Sequence, residues 1–211
     1  MLTLYDYWRS SASYRLRIGL NLMELPFRSV PVDIVKGEQR SPENLARNPQ
    51  GLVPTLDIDG MMMTQSLAIL EYLDETRGAG FLPADPKGRA RVRTLSYAIA
   101  MEIHPVCNSS VSAHVVKASE GRISAEAWMQ AFIGPRLEAF ERLLDHPDTG
   151  RFCHGDSVTM ADICLVPQIY NAERWGVDVT SLSRLSGIAT RLRAIPAIAA
   201  AHPDRFKAPA S

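Results

Sequence analysis

The sequence predicts a small mixed α/β domain followed by an all-helical domain, and three observations carry that expectation. Over residues 2–77, short β-like runs alternate with helical patterns in the order βαβαββα. A Gly- and Pro-rich stretch, GAGFLPADPKG at 78–88, then interrupts the chain. Beyond it, nearly every segment repeats apolar residues at helical spacing. The expected boundaries are 1–82 for the first domain, 83–88 for a linker and 89–211 for the helical domain.

Leu2–Asp6 (LTLYD) and residues 28–34 (RSVPVDI) are β-like, and Tyr14–Met23 between them (YRLRIGLNLM) spaces its apolar residues as a helix does. This is a strand, helix, strand unit. Pro42–Arg47 predicts a second helix, Val53–Ile58 a strand closed by the turn signal Asp59-Gly60, and Met61–Thr64 a strand that pairs back on it. Ser66 opens LAILEYLDET, whose Leu67, Leu70 and Leu73 form the apolar stripe of a third helix. In the second half, helices are expected at 89–118, 124–145, 160–174 and 183–201. Thr159-Met160-Ala161-Asp162 reads as a capping box with aspartate in the reciprocal position, and Val158 with Ile163 as its hydrophobic staple.

The 211 residues are 46% hydrophobic, enough for a proper core. Lysine plus arginine equals aspartate plus glutamate at 23 each, so no global field draws nucleic acid or an anionic membrane, and neither is expected as a partner. The opening residues MLTLYDYWRS lack the apolar core of a signal peptide, and no apolar run reaches membrane-spanning length, which directs the expectation to the cytoplasm. Cys107, Cys153 and Cys164 have neither CxxC nor zinc spacing. Buried free thiols are expected, and no metal.

Chemistry is expected where the first strand meets the first helix, at Tyr7-Trp8-Arg9-Ser10-Ser11-Ala12-Ser13-Tyr14-Arg15. A helix N-terminus presents free N–H groups and partial positive charge, which favour an anion such as a thiolate, and Ser10 or Ser11 adds a hydroxyl donor. Serines before a helix also serve as N-caps. Two further features point to a ligand. A Val53-Pro54 bond entering a strand can be cis and leave the preceding backbone free to pair with an extended peptide. Ser66, opening the third helix after Gln65, is placed to hold a carboxylate by hydroxyl and N–H together. A thiolate site, a strand edge and a carboxylate site together describe a receptor for a small thiol peptide.

In four segments the sequence resembles the zeta class of glutathione transferases and its maleylacetoacetate isomerases: RSSASYRLRIGLNL at 9–22, NPQGLVPTLDIDG at 48–60, QSLAILEYLDETR at 65–77 and GDSVTMADICLVPQIYNAERWGVDVT at 155–180. The resemblance implies a thioredoxin-like N-terminal domain and the glutathione transferase fold, with glutathione as cofactor and a homodimer. It further implies that Ser10 and Ser11 stabilise the thiolate beside Ser13, that Val53 pairs with the peptide backbone, and that Gln65 and Ser66 hold the γ-glutamyl end with Gln39 reaching in. His104, Asn108, Ser109 and Ser110 match positions near glutathione, and Arg9 and Arg174 match arginines that face the carboxylates of a small dicarboxylic substrate. Ala12 stands where some relatives have cysteine, Cys107 where glutamine or asparagine is common, and Ser109-Ser110 where bacterial isomerases carry arginine.

The implied reaction is cis to trans isomerisation of maleylacetoacetate to fumarylacetoacetate, in aromatic amino acid catabolism, by thiolate addition, rotation and elimination. Maleylpyruvate isomerisation and glutathione transfer to α-haloacids remain alternatives, since all these substrates set a carboxylate beside an electrophilic carbon. A non-catalytic binding protein of the same fold is the rival from another class. Thiol–disulfide exchange is disfavoured because Ser10–Ser13 holds no cysteine.

Overall fold

In the computed structural model, which describes residues 1–207, β1 (Leu2–Asp6) occupies the inside of a four-stranded sheet of order β2-β1-β3-β4. β1 runs parallel to β2 (Phe27–Pro31) and antiparallel to β3 (Thr55–Ile58), which pairs antiparallel with β4 (Met61–Thr64). The register sets Leu4 beside Leu56 and Ser29. The helix α1 (Ser11–Leu22) makes the crossover between β1 and β2; a 3₁₀ turn at Glu38–Arg40 and α2 (Pro42–Arg47) lead to β3, and α3 (Ser66–Arg77) follows β4. The βαβαββα order is the thioredoxin-like one expected.

Leu4, Leu16, Ile18, Leu20, Leu56, Ile69, Leu70 and Leu73 are buried and form the core of this part. α1 packs on α3 at a point where an added Cβ on Gly19 would lie 2.5 Å from Leu70 Cδ2, so a larger residue there would have to displace the Leu70 side chain.

The second half is helical: α4 (Pro86–Ala100), α5 (Ser109–Ala118), α6 (Ala125–Leu143), α7 (Met160–Arg174) and α8 (Ser183–Arg193), with α9 (Pro196–Ala200) near the end. α7 is buried without interruption from Met160 to Ile169, as befits a central helix that is apolar nearly all round. The Asp162 carboxylate accepts the Thr159 N–H and hydroxyl, each at 2.8 Å, and the Cys153 N–H at 2.9 Å, so the capping box also ties down the preceding loop. Burial pushes this carboxyl above its ordinary value, and the hydrogen bonds restrain the shift.

Three differences from the sequence reading have local causes. The helix expected at 89–118 is two, because Pro105 has no N–H and restrains His104; turns cover residues 101–107, and Asn108 caps a new start by accepting the Ser110 N–H at 3.0 Å. The helix expected at 183–201 breaks before Pro196 for the same reason. α4 begins at Pro86, three residues inside the expected linker, on an Asp85 side chain that accepts the Gly88 N–H at 2.7 Å. The described residues form two compact units, residues 1–81 with 195–207, and Leu82–Ala194. Among the described residues no helix is long and apolar enough to cross a membrane.

Candidate active site

Helix α1 starts on Ser10, whose backbone is extended and whose Oγ accepts the Ser13 N–H at 3.2 Å. The serine is therefore an N-cap. A hydroxyl that accepts a hydrogen bond keeps its own proton to donate, so capping and anion binding are compatible in this one side chain. The N–H groups of Ser11 and Ala12 make no hydrogen bond among the described residues, which leaves the positive end of α1 uncommitted. Ser13 is different from its neighbours: its side chain is wholly buried, and what it gives the site is its backbone N–H. Arg9 is half-buried with its guanidinium 5.3 Å from the centre of the Trp8 ring.

A second helix start lies in the same unit. Gln65 adopts φ 67°, a left-handed backbone that costs a non-glycine residue energy, and Ser66 follows as the first, buried residue of α3. The N–H groups of Ser66 and Leu67 are also uncommitted among the described residues. Arg15 Nη1 donates to Ser66 Oγ at 3.3 Å, which joins the helix that begins at Ser10 to the helix that begins at Ser66. Arg15 is nearly buried, and its charge stands directly behind the Ser66 hydroxyl.

The loop before β3 closes the circuit. Gln65 Nε2 donates to Gln50 Oε1 at 3.0 Å, and Asn48 Nδ2 to the Leu52 carbonyl at 3.0 Å. The Val53-Pro54 bond is cis, and the Val53 N–H and carbonyl make no hydrogen bond among the described residues. Since Thr55 pairs with Thr64, Val53 and Ser66 flank one end of the β3–β4 ladder. Gln39 reaches the same loop: an added Cβ on Gly51 would lie 3.4 Å from the Gln39 carbonyl. The Gln39 amide oxygen is buried and without a partner among the described residues. Ser10, Ser11, Val53, Gln65, Ser66 and Gln39 thus belong to one unit and to connected segments of it.

In the second unit, His104 is half-buried and its N–H bonds to the Ile99 carbonyl at 3.0 Å. The Trp128 indole N–H donates to the Val106 carbonyl at 3.0 Å and fixes this turn segment against α6. Asn108 Oδ1 accepts from both the N–H and the hydroxyl of Ser110, so Asn108 offers its amide NH2 and Ser110 its oxygen. Ser109 is exposed at the first position of α5. Arg174 is exposed in the last turn of α7, with Nη1 3.5 Å from Asn171 Oδ1 and its guanidinium 5.6 Å from the centre of the Trp175 ring.

The sequence reading included Arg15 in the 7–15 segment but gave neither it nor Arg17 a role. The available signal was their position inside the apolar run YRLRIGL, where a charge is tolerated only with a partner.

The sequence matches the glutathione S-transferase N-terminal domain family over residues 1–75 and the C-terminal domain family over residues 126–194. It is 63% identical over 206 residues to maleylacetoacetate isomerase of Rhizobium meliloti (strain 1021), covering 97% of each chain. The fold is similar to the crystal structure of maleylacetoacetate isomerase from Methylobacterium extorquens AM1 with bound malonate and GSH, at TM-score 0.93 and 38% identity over 99% of this chain and 100% of that one. It is similar as well to the holo structure of a bacterial zeta-class maleyl pyruvate isomerase, at TM-score 0.92 and 37% identity over 95% and 96% of the two chains.

Proposed function

Since the chain belongs to the glutathione S-transferase family, in its zeta class, we propose that it binds glutathione in its first unit and isomerises maleylacetoacetate from cis to trans. The observation that carries this reading is the start of α1, where a capping serine retains a hydroxyl proton and two N–H groups are uncommitted.

The residues present fit glutathione by polarity. The positive end of α1 suits a thiolate, the unpaired Val53 backbone suits an extended peptide, and Gln39 brings an amide side chain to the neighbouring loop. Ser66, Gln65 and the start of α3, with Arg15 behind them, suit a carboxylate. When bound, glutathione supplies a thiolate that adds reversibly to the double bond and so permits rotation about it.

The chain's part is to hold charge. Ser10 donates its proton toward the sulfur, and the Ser11 and Ala12 N–H groups add the partial charge of the helix end. Both lower the thiol pKa, which raises the ionised fraction near neutrality at some cost in intrinsic nucleophilicity. Arg9 and Arg174 orient the substrate carboxylates and offset negative charge that develops beside them. His104, Asn108, Ser109 and Ser110 keep the glutathione-contact role that the family resemblance gives them. The reading includes a homodimer and a cytoplasmic location; sedimentation showing only monomer at micromolar concentration overturns the first.

The deciding assay follows isomerisation of maleylacetoacetate or maleylacetone with and without glutathione, beside maleylpyruvate and dichloroacetate. Turnover of the first pair, dependent on glutathione, is expected. Full rate in the absence of thiol overturns the mechanism, and preference for maleylpyruvate or dichloroacetate reassigns the substrate.

A further inference from the structure

Asp6 at the end of β1 and Arg17 inside α1 form an ion pair at 2.5 Å, and both side chains are essentially excluded from solvent. Burying two charges is costly, and a well-packed apolar pair of similar volume is often as stable or more so. Burial pushes the Asp6 carboxyl up, and the Arg17 guanidinium pulls it partly back. Stability therefore does not by itself account for the pair, whereas the other bonds of Arg17 give it a second purpose. Nη2 donates to the Trp8 carbonyl at 2.7 Å, and Nε to the Ala201 carbonyl at 3.3 Å. The second oxygen of Asp6 accepts the Ser29 hydroxyl at 2.7 Å.

Trp8 lies two residues before Ser10, in the turn closed by the Ser10 N–H on the Tyr7 carbonyl at 2.9 Å. Fixing the Trp8 carbonyl fixes the peptide planes that aim Arg9 and Ser10. On the other side, residues 197–207 pack along the same helix. Asn21 Nδ2 donates to the Ala197 carbonyl at 3.0 Å, and His202 stands edge-on to Tyr14 at 6.2 Å. Phe206 stacks on Phe27 at 6.3 Å and covers the Arg17 guanidinium at 4.5 Å, while Lys207 Nζ lies 5.4 Å from the centre of the Trp8 ring.

We propose that Arg17, held by Asp6 and covered by the C-terminal segment Ala201–Lys207, is a positioning residue that sets the Trp8–Ser10 loop for thiolate binding. The inference rests on the reading that Ser10 faces the glutathione sulfur. It makes residues 201–207 part of the first unit's chemistry, although none of their side chains is assigned to the ligand.

Arg17→Lys and Phe206→Leu test it in the full-length protein. Lysine keeps a charge for Asp6, but its single ammonium does not reproduce the planar fork shared between the Trp8 and Ala201 carbonyls, nor the flat face against Phe206. Phe206→Leu leaves the ion pair intact and uncovers the guanidinium. Both variants are examined by ultraviolet titration of bound glutathione, calorimetric glutathione affinity and turnover, beside Leu137→Ala in α6 as a control destabilised elsewhere. The expected result is a rise in the bound thiol pKa of about one unit in Arg17→Lys, less in Phe206→Leu, as the hydroxyl and helix end lose their aim. The rate constant kcat should fall about tenfold or more while glutathione affinity changes little. Lower melting temperatures with the thiol titration and kcat of both variants unmoved, as expected of Leu137→Ala, overturn the inference alone. Absence of glutathione binding in the unsubstituted protein overturns the functional reading and the inference with it. If Arg17→Lys does not fold, the thiol titration of Phe206→Leu decides.

Discussion

The Ser10 hydroxyl accepts the N–H of Ser13 at 3.2 Å, so one side chain both starts helix α1 and has a proton left to offer an anion beyond the helix end. The two roles separate on substitution. Ser10→Ala removes a cap, which costs about 1 kcal/mol of stability. It also removes a charge-assisted hydrogen bond worth roughly 1.5–3 kcal/mol to the thiolate. That second loss corresponds to a bound thiol pKa higher by roughly one to two units. Ultraviolet titration of bound glutathione measures it, and affinity should fall much less than turnover because Val53, Gln65 and Ser66 are untouched. A stability loss with no change in titration reduces Ser10 to a cap. If Ser11→Ala moves the titration and Ser10→Ala does not, Ser11 is the donor.

Ser66 presents the complementary case. Its Oγ accepts from Arg15 at 3.3 Å, which leaves its proton to donate. Ser66→Ala removes that donor and leaves a nearly buried guanidinium short of one acceptor. Glutathione affinity should fall by about tenfold to a hundredfold, the equivalent of one hydrogen bond to a charged group. The pKa of whatever thiol remains bound should stay put, since α1 is unaltered. Calorimetry and the thiol titration, read together, separate the carboxylate end from the sulfur end.

The first unit was legible in the sequence because its signals are local: alternation in the strands, Asp59-Gly60 at the hairpin, Ser66 at a helix start. The candidate ligand-facing serines were legible for the same reason. The roles of Arg15 and Arg17 were not, because an arginine in a single sequence reads as a solvated charge until its partners are known. The partners of Arg17 are spread from Asp6 to Ala201, a separation that no helical or strand periodicity reports. The break after Ala100 was present in the sequence as Pro105, but the apolar spacing continued across it and the pattern concealed the stop.

Asp162 is the test of the second unit. Asp162→Ala orphans three buried donors, the Cys153 N–H and both donors of Thr159. Each unsatisfied buried donor costs about 1–3 kcal/mol, so a loss of at least about 3 kcal/mol is expected. In a chain of this size that lowers the melting temperature by roughly 6–12 °C. Asp162→Asn retains one acceptor oxygen and should fall between. Denaturant titration of both variants measures the order, and equal stability of Asp162→Ala and the unsubstituted protein would remove the box as a structural determinant.

The protein's own thiols give a prediction with a sign. Cys107, Cys153 and Cys164 are all buried, and among the described residues none is in a disulfide. Burial pushes the Cys107 thiol up to about 11 against a smaller opposing pull from Arg136. Burial, with the Asp162 carboxylate nearby, pushes Cys153 well above its ordinary value. At pH 8 only about one Cys107 in a thousand is then a thiolate, so alkylation of the folded protein by iodoacetamide should be slow and should leave turnover intact. Unfolding should release all three thiols to a chromogenic disulfide. The folded Cys107 and Cys153 pKa values lie above the unfolded value, so the contribution of these two groups is fully present below about pH 8.5 and is lost as pH rises toward the folded value. Above that point the unfolded chain gives up protons that the folded chain keeps, and stability must fall with pH. Denaturant midpoints at pH 8, 9 and 10 should decline, and Cys153→Ala should decline less steeply. Rapid inactivation by iodoacetamide at pH 8 would instead place a reactive thiolate on the protein, and the requirement for an external thiol would no longer follow from its cysteines.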